Sequence, residues 1–509
     1  MVDSTKRAVV NTFAQYTRAI INIALSFYST RLILQALGQD DYGIYSLIAG
    51  VVFMLAYITN ALVTTTQRYL SYYNGKNDFD YLKKVFTNSL FIHVVFAGVI
   101  CIIMLALTKP MITQWLVIDS GRHEAAEFVY VMAIVMLFFT VMTSPFKAVF
   151  ISRENIVYIS IIEVCDGILK FALAIYLLHA DLDKLMLYAI IMAGIQIFTF
   201  VAFAVYGKWK YDECRLAIYF KDLERQCMKQ LLGFAGWTIY GTGCVVVRTQ
   251  GLAVVLNRFF GIIYNAAYGI AQQVTGAILF LSLSIINALS PQIIKAEGSK
   301  DREKMLHLSE CLSKYSYLIL SLIGIPLMFE MNAVLEFWLK DIPDAAVSFC
   351  RFILLASICD QLTIGLGTAI QATGKIRVYT LVTYTTKVLT LPAMCLALYL
   401  GADVHATLWL YVIFEAICVL MRLPFAKQLC GLSMWQYIKN VFIPVIIPTI
   451  CISVVGWVML RFVDMQFRFL VTIPLCAIIG AIAIWFCVFD ANDKERIIVY
   501  TKTKLKLSR

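Results

Sequence analysis

Ser29-Thr30-Arg31-Leu32-Ile33-Leu34-Gln35-Ala36-Leu37-Gly38-Gln39-Asp40-Asp41-Tyr42-Gly43-Ile44-Tyr45 returns in outline 223 positions further along the chain, where Gly261 stands for Gly38 and Tyr268 for Tyr45. The same offset sets Gly75 against Gly298, Asp78 against Asp301, and Trp115-Leu116 against Trp338-Leu339. One such match carries no weight, but a constant offset across successive features points to a duplicated segment. With the offset reduced to 221, Val157-Tyr158 falls on Val378-Tyr379, and Asp166 falls on Lys387. The chain reads as two related halves.

Composition sets the class within which that duplication is read. Of 509 residues, 61% are apolar and 15% charged, and the mean hydropathy is +0.79, far outside the range of soluble proteins. A membrane-crossing helix needs about 20 apolar residues. Fourteen segments meet that length, near 8–30, 43–65, 85–107, 126–148, 156–178, 182–206, 229–256, 262–289, 313–335, 347–372, 378–400, 404–426, 440–462 and 468–489. With both termini cytoplasmic, most of the 43 basic residues fall in the inner loops, as the positive-inside rule requires. The net charge of +11 thus marks the cytoplasmic face of a membrane protein and gives no support to nucleic-acid binding.

The fold expected is all-α: a polytopic membrane protein of 14 transmembrane helices, in two six-helix lobes plus two extra helices. Residues 1–210 form the first lobe, 211–228 a cytoplasmic linker, 229–430 the second lobe, and 431–509 the extra pair with a basic cytoplasmic tail. A six-span unit has both ends on one side, so its copy inserts in the same orientation. Such a parallel repeat is the arrangement of transporters that rock two bundles about a site. The extra pair holds no charge in its apolar core and is expected to face lipid. The fourteen cysteines form no C-x-x-C pair and read as reduced packing residues. The N-terminus lacks a small-residue cleavage site and is expected to be retained.

Polar residues inside the spans are the candidates for function, because burying them in hydrocarbon is costly. Asn11, Gln15, Arg18, Asn22 and Ser26 follow helical spacing on one stripe of the first span, which should face protein or water. Glu163, Asp166 and Lys170 share a face of the fifth span, where Asp166 can pair with Lys170. In the second half, Trp237 and Arg248 share a face of a Gly-rich span, and Tyr268 and Gln272 share a face of the next. Asp360, Lys387 and Glu415 are single intramembrane charges, and Arg351 lies near the outer end of its span.

Arg31-Leu32-Ile33-Leu34, Leu37-Gly38 and Tyr42-Gly43-Ile44-Tyr45, taken with the six-plus-six repeat and the two extra spans, resemble the polysaccharide-flippase branch of the multidrug/oligosaccharidyl-lipid/polysaccharide exporter superfamily. That resemblance covers the whole chain. It implies a non-enzymatic flippase of the bacterial inner membrane that moves undecaprenyl-diphosphate-linked oligosaccharides for O-antigen, capsule or exopolysaccharide synthesis. It further implies contact with membrane lipids, a coupling ion (H+ or Na+) and polysaccharide assembly machinery, with no cofactor.

The residues suit that task. A diphosphate needs cations, for which Arg18, Lys170, Arg248 and Lys387 are available. Sugars need hydroxyl partners and aromatic faces, for which Asn22, Trp237, Tyr240, Tyr268 and Gln272 are available. The carboxylates Glu163, Asp166, Asp360 and Glu415 either neutralise these cations or take the coupling ion. Two further readings stay open: a MATE-like cation-coupled drug antiporter, whose cavity should be net acidic, and a lipid II flippase. A membrane glycan polymerase or ligase is disfavoured by the short outer loops and by the lack of a His/Asp/Glu cluster. Asp166 and Lys387, equivalent in the repeat, would attract each other across the halves unless Asp166 pairs only with Lys170.

Overall fold

The computed structural model describes residues 2–53, 56–115, 118–215, 218, 220–339, 342–343, 345–465, 467–489 and 494. Among them there is no strand. The long helices are α1 (Val2–Phe53), α2 (Ala56–Gly75), α3 (Phe79–Pro110), α4 (His123–Ser152), α5 (Ile156–Leu178), α6 (Lys184–Lys210), α7 (Arg225–Phe260), α8 (Ile262–Gly298) and α9 (Arg302–Phe329). They continue with α10 (Met331–Leu339), α11 (Ala346–Gln361), α12 (Ile364–Thr373), α13 (Arg377–Tyr399), α14 (Val404–Cys430), α15 (Met434–Tyr437), α16 (Ile443–Phe462) and α17 (Phe469–Cys487).

Gly38 breaks α1 in two. Its φ of 78° and ψ of 175° lie in a region that a Cβ all but forbids. Gly261, its counterpart, has φ 83° and separates α7 from α8. The offset of 223 is an offset of local structure as well. α2 ends at Gly75 and α8 at Gly298. Each is followed by the same turn: Lys76 N–H bonds to the Tyr72 carbonyl as Ser299 does to Lys295, and Asp78 N–H bonds to Tyr73 as Asp301 does to Ala296. Asn77 and Lys300, at the same place in that turn, are both left-handed, with φ 57° and 61°. Further on the offset shrinks, yet α5 and α13 both have 23 residues and α6 and α14 both have 27. Asp183 and Asp403 cap the last two alike.

Eleven helices among the described residues are long and apolar enough to cross a bilayer, or twelve when α11 and α12, bent by 48°, count as one span. The other two of the fourteen expected spans fall on α5, whose 23 residues include Glu163, Asp166 and Lys170, and on the stretch after Gly38, which runs into residues 54–55 outside the described set. The expected basic tail, 490–509, also lies outside it apart from Lys494.

The chain divides into two compact units, Met1–Gly243 with Ile294–Asp301, and Cys244–Ile293 with Arg302–Arg509. The first has a core of α3, α4, α5 and α6 residues such as Ala97, Tyr130, Ile134, Leu173, Leu177 and Ala189. The expected linker is fixed to this unit: Glu213 pairs with Arg153 at 2.7 Å, and Asn88 bonds both the Asp222 carbonyl (2.9 Å) and the Glu224 amide (3.1 Å).

The second unit has its core along α9, α11 and α14, with Leu320, Phe349, Ile353, Leu354 and Leu408. Its extra pair, α16 and α17, does more than face lipid, which corrects the expectation for those spans. Gly456 and Gly480 let it approach Phe329 and Leu322 closely. The buried Glu330 carboxylate takes two bonds from Arg468 (2.8 and 3.1 Å) and one from the Thr472 hydroxyl (2.9 Å), which fixes α17 at the α9–α10 junction. Ile446, Ile450, Val454 and Trp457 remain exposed on α16 and form the face suited to lipid.

Candidate functional site

In the first unit the polar stripe of α1 faces α5. Asn11 donates to the Glu154 carbonyl (2.8 Å), Arg18 pairs with the Glu163 carboxylate, and Asn22 donates to the Glu163 carbonyl (3.2 Å). Gly167 makes this approach possible, since a Cβ there would meet the Asn22 amide. Glu163 takes a second cation, Lys147 of α4, at 2.6 Å. One turn along, Asp166 pairs with Lys170 at 2.7 Å. Beside them lies a polar cavity of about 300 Å³ lined by Asn22, Ser26, Ser29, Asp166, Lys170 and Tyr188 among others. Among the described residues the Asn22 Oδ1 and Ser29 Oγ, both buried there, have no hydrogen-bond partner.

In the second unit the charges are more deeply buried. Glu415 of α14 takes Arg248 of α7 through one oxygen and Lys387 of α13 through the other, each at 2.5 Å. Lys387 also approaches Asp360 at 3.6 Å, and Asp360 takes Arg422 at 2.8 Å. The Arg248 guanidinium sits over the Tyr411 ring, 4.7 Å from its centroid. Side chains of Arg248, Lys387, Glu415 and Arg422 are all below a tenth exposed. Buried ions survive only when their desolvation is offset by close partners, and each of these has one.

Asp360 reaches this network because its helix breaks. Between α11 and α12 the backbone turns by 48°, and the freed groups need partners in a medium without water. Arg422 donates to the Asp360 carbonyl and to the Thr363 hydroxyl, both at 3.2 Å. Tyr437 donates to the Leu362 carbonyl (2.8 Å), and the Gly365 amide donates to Ser313 (2.9 Å). Arg422 therefore both closes the break and neutralises the carboxylate beside it.

Of the expected site residues, Arg18, Asn22, Glu163, Asp166 and Lys170 come together in one unit, and Arg248, Asp360, Lys387 and Glu415 in the other. Trp237 and Tyr240 form an edge-on pair in the first unit, with Tyr240 36% exposed. Tyr268 differs from the expectation of an open aromatic face. It is buried in the second unit's core, donates to the Thr249 carbonyl (3.1 Å) and receives Gln272 at 2.6 Å. Asp166 and Lys387 are each engaged inside their own unit: Asp166 takes Lys170, the pairing expected along its own helix, and Lys387 takes Glu415. Lys147 and Arg422 were missed. Arg422 stands seven residues after Glu415, two turns along one face, and that spacing was the available signal.

Outside the spans, Arg122 joins Asp41 and Asp183, the latter at 2.7 Å. Burial pushes the Asp183 carboxyl up, but the Arg122 guanidinium and the Met186 and Leu185 amides outweigh it and hold the group below its usual range. Among the described residues no group of three or more His, Cys, Asp or Glu is arranged to hold a metal ion.

No family model and no curated protein matches the chain. Solved structures do. An outward-facing multidrug resistance MATE family transporter of the MOP superfamily is similar at 14% identity with a TM-score of 0.71, covering 84% of this chain and 96% of its own. A MOP superfamily transporter from Pyrococcus furiosus, described by a reverse polarity of its binding pocket, is similar at 14% identity and TM-score 0.69, over 84% and 96%. A mutant of the Vibrio cholerae MATE transporter VcmN is similar at 16% identity and TM-score 0.69, over 85% and 99%. The chain has the MATE-like fold.

Proposed function

We propose that this chain is a transporter for an anionic, lipid-linked oligosaccharide, moved across the bacterial inner membrane on undecaprenyl diphosphate by alternating access. The observation that carries this reading is charge balance. The first cluster sets Arg18, Lys147 and Lys170 against Glu163 and Asp166, and the second sets Arg248, Lys387 and Arg422 against Asp360 and Glu415. Each holds three cations to two carboxylates. A cluster with surplus positive charge suits a diphosphate and repels an organic cation. Pocket polarity is also the property by which the Pyrococcus furiosus relative is set apart in function.

The carboxylates supply the switch. Each holds a lysine or arginine, and a proton or Na+ taken up at Glu163, Asp166, Asp360 or Glu415 releases that cation toward a substrate phosphate. Asn22, Trp237 and Tyr240 are the candidates left for sugar contact. Both termini are assigned to the cytoplasm, where handover from the polysaccharide assembly machinery would take place.

The fold likeness favours a second reading, a MATE-like cation-coupled drug antiporter, and a lipid II flippase is the same chemistry with another glycan. The test is reconstitution in proteoliposomes. We expect a fluorescent undecaprenyl-diphosphate oligosaccharide to become accessible on the far side, and an organic cation dye to stay put. Ion-driven dye movement without lipid translocation would overturn the proposal.

A further inference from the structure

A second cavity lies outside both charge clusters. It is a cleft of about 520 Å³ in the second unit, between α9, α11 and α16. Ile325, Met328, Phe329, Leu355, Ile358 and Leu460 make its walls apolar, within the size range of small-molecule sites. At one end stands a single charge, Arg351, near the end of its span where a long side chain can snorkel. At the other end the Tyr317 and Thr449 hydroxyls bond each other at 3.1 Å, so they do not demand a polar ligand.

Arg351 is set apart from every other intramembrane arginine described above. No described carboxylate lies within ion-pair distance of it. Among the described residues its guanidinium donates to the last carbonyls of α9, Met328 at 2.8 Å and Phe329 at 3.5 Å. Those two bonds aim the group and leave further N–H donors and the full positive charge unspent. The transport proposal has no use for it.

A cleft with hydrocarbon walls and an unbalanced guanidinium at one end matches an amphiphile with an anionic head and an apolar tail. α16 supplies one wall of the cleft and presents Ile446, Ile450, Val454 and Trp457 to the outside, so the cleft borders the lipid phase. A water-soluble anion would gain nothing from such walls, and a neutral lipid would leave the charge uncompensated. We propose that the cleft is a binding site for an anionic phospholipid of the outer leaflet, with its phosphate on Arg351 and one acyl chain between α9, α11 and α16. This inference stands apart from the transport reading and survives or fails without it.

The test uses the full chain in nanodiscs containing phosphatidylglycerol with a diazirine midway along one acyl chain. After irradiation and digestion, labels are expected on the α9, α11 and α16 peptides that hold Ile325, Leu355 and Ser453. Arg351→Gln should lower that labelling about tenfold, and Arg351→Lys should lower it less, because a lysine keeps the charge but loses the fork. Phosphatidylcholine carrying the same diazirine should label these peptides weakly in all three proteins. Ser453→Phe, which fills the cleft without touching Arg351, should also remove the signal; thermal unfolding of each variant shows that the fold is kept. Equal labelling of wild type and Arg351→Gln would overturn the proposal. So would labels spread evenly over lipid-facing helices, or displacement by undecaprenyl phosphate in place of phosphatidylglycerol.

Discussion

Gly75 and Gly298 occupy reciprocal positions: Gly75 lies against the backbone carbonyl of Lys295, and Gly298 against that of Tyr72. The two contacts exchange under the 223-residue offset, so the last turns of α2 and α8 cross about a local two-fold axis. Only a residue without a side chain permits backbones to meet in this way.

Alanine at either glycine therefore forces the two turns apart. Each substitution is expected to cost about 1–3 kcal/mol, by nearly the same amount because the contacts are equivalent. Gly98→Ala in α3, where nothing lies within 4 Å of the added methyl, is the control and should gain about 0.5–1 kcal/mol. Thermal unfolding of the purified proteins followed by tryptophan fluorescence decides. Unequal losses at Gly75 and Gly298 would break the symmetry argument.

Gly38 and Gly261 are constrained by conformation and not by space, since nothing lies within 4 Å of either. Gly38→Ala is expected to lose about 1–3 kcal/mol from backbone strain alone. Because space is free, Gly38→Asn should cost less than Gly38→Val, whose branched chain tolerates a positive φ worst. A flat response across the three variants in thermal unfolding would rule out strain as the cause.

Glu415 balances two buried cations, and Glu415→Gln strands Arg248 and leaves Lys387 only its longer contact to Asp360. A loss of about 3–5 kcal/mol is expected, typical of breaking a buried pair from one side. Adding Lys387→Gln should recover part of it, with a non-additivity of about 0.5–3 kcal/mol, because the second change removes one of the two cations. If the double variant is as unstable as the sum of the singles, the two residues do not share a network.

The Asp183 carboxyl is held below its usual range, so its contribution is present above the unfolded value, about pH 4, and is lost as pH falls through the lower folded value. Asp183→Asn should therefore lower the melting temperature at neutral pH. The gap to wild type should stay level down to about pH 5 and close below pH 4. A gap that widens on acidification would reverse the sign of this linkage.

The duplication was readable because glycines and turn aspartates sit where backbone geometry leaves little choice: Gly38 with Gly261, Gly75 with Gly298, and Asp78 with Asp301. The polar stripe of α1 was readable because helical spacing fixes a face, and that face meets α5. Partners across helices were not readable. Lys147 lies near the end of its span among apolar residues, and only the packing of α4 against α5 brings it to Glu163. Arg422 falls inside the expected span 404–426, and the break between α11 and α12 brings Asp360 to it. Tyr268 showed the right spacing for a cavity face, but the same spacing suits a core, and the chain offers no local sign of which one it serves.

Asp166 and Lys387 remain the most informative pair of positions, because the repeat makes them equivalent and gives them opposite charge. Asp166 has its own partner, Lys170, four residues along the same helix at 2.7 Å, and Lys387 has Glu415 at 2.5 Å. An ion-pair attraction at about 4 Å amounts to roughly 4 kcal/mol at an effective dielectric near 20, and each group already draws on its nearer partner. A charge so engaged has little to gain from a more distant opposite. In double-mutant cycles read by translocation of the proposed lipid-linked substrate, Asp166→Asn and Lys170→Gln should therefore be strongly non-additive. Asp166→Asn and Lys387→Gln should combine additively, within about 0.3–0.5 kcal/mol. Coupling between Asp166 and Lys387 as large as that between Asp166 and Lys170 would show that the proposed transport cycle visits a state in which both charges leave the partners they hold here.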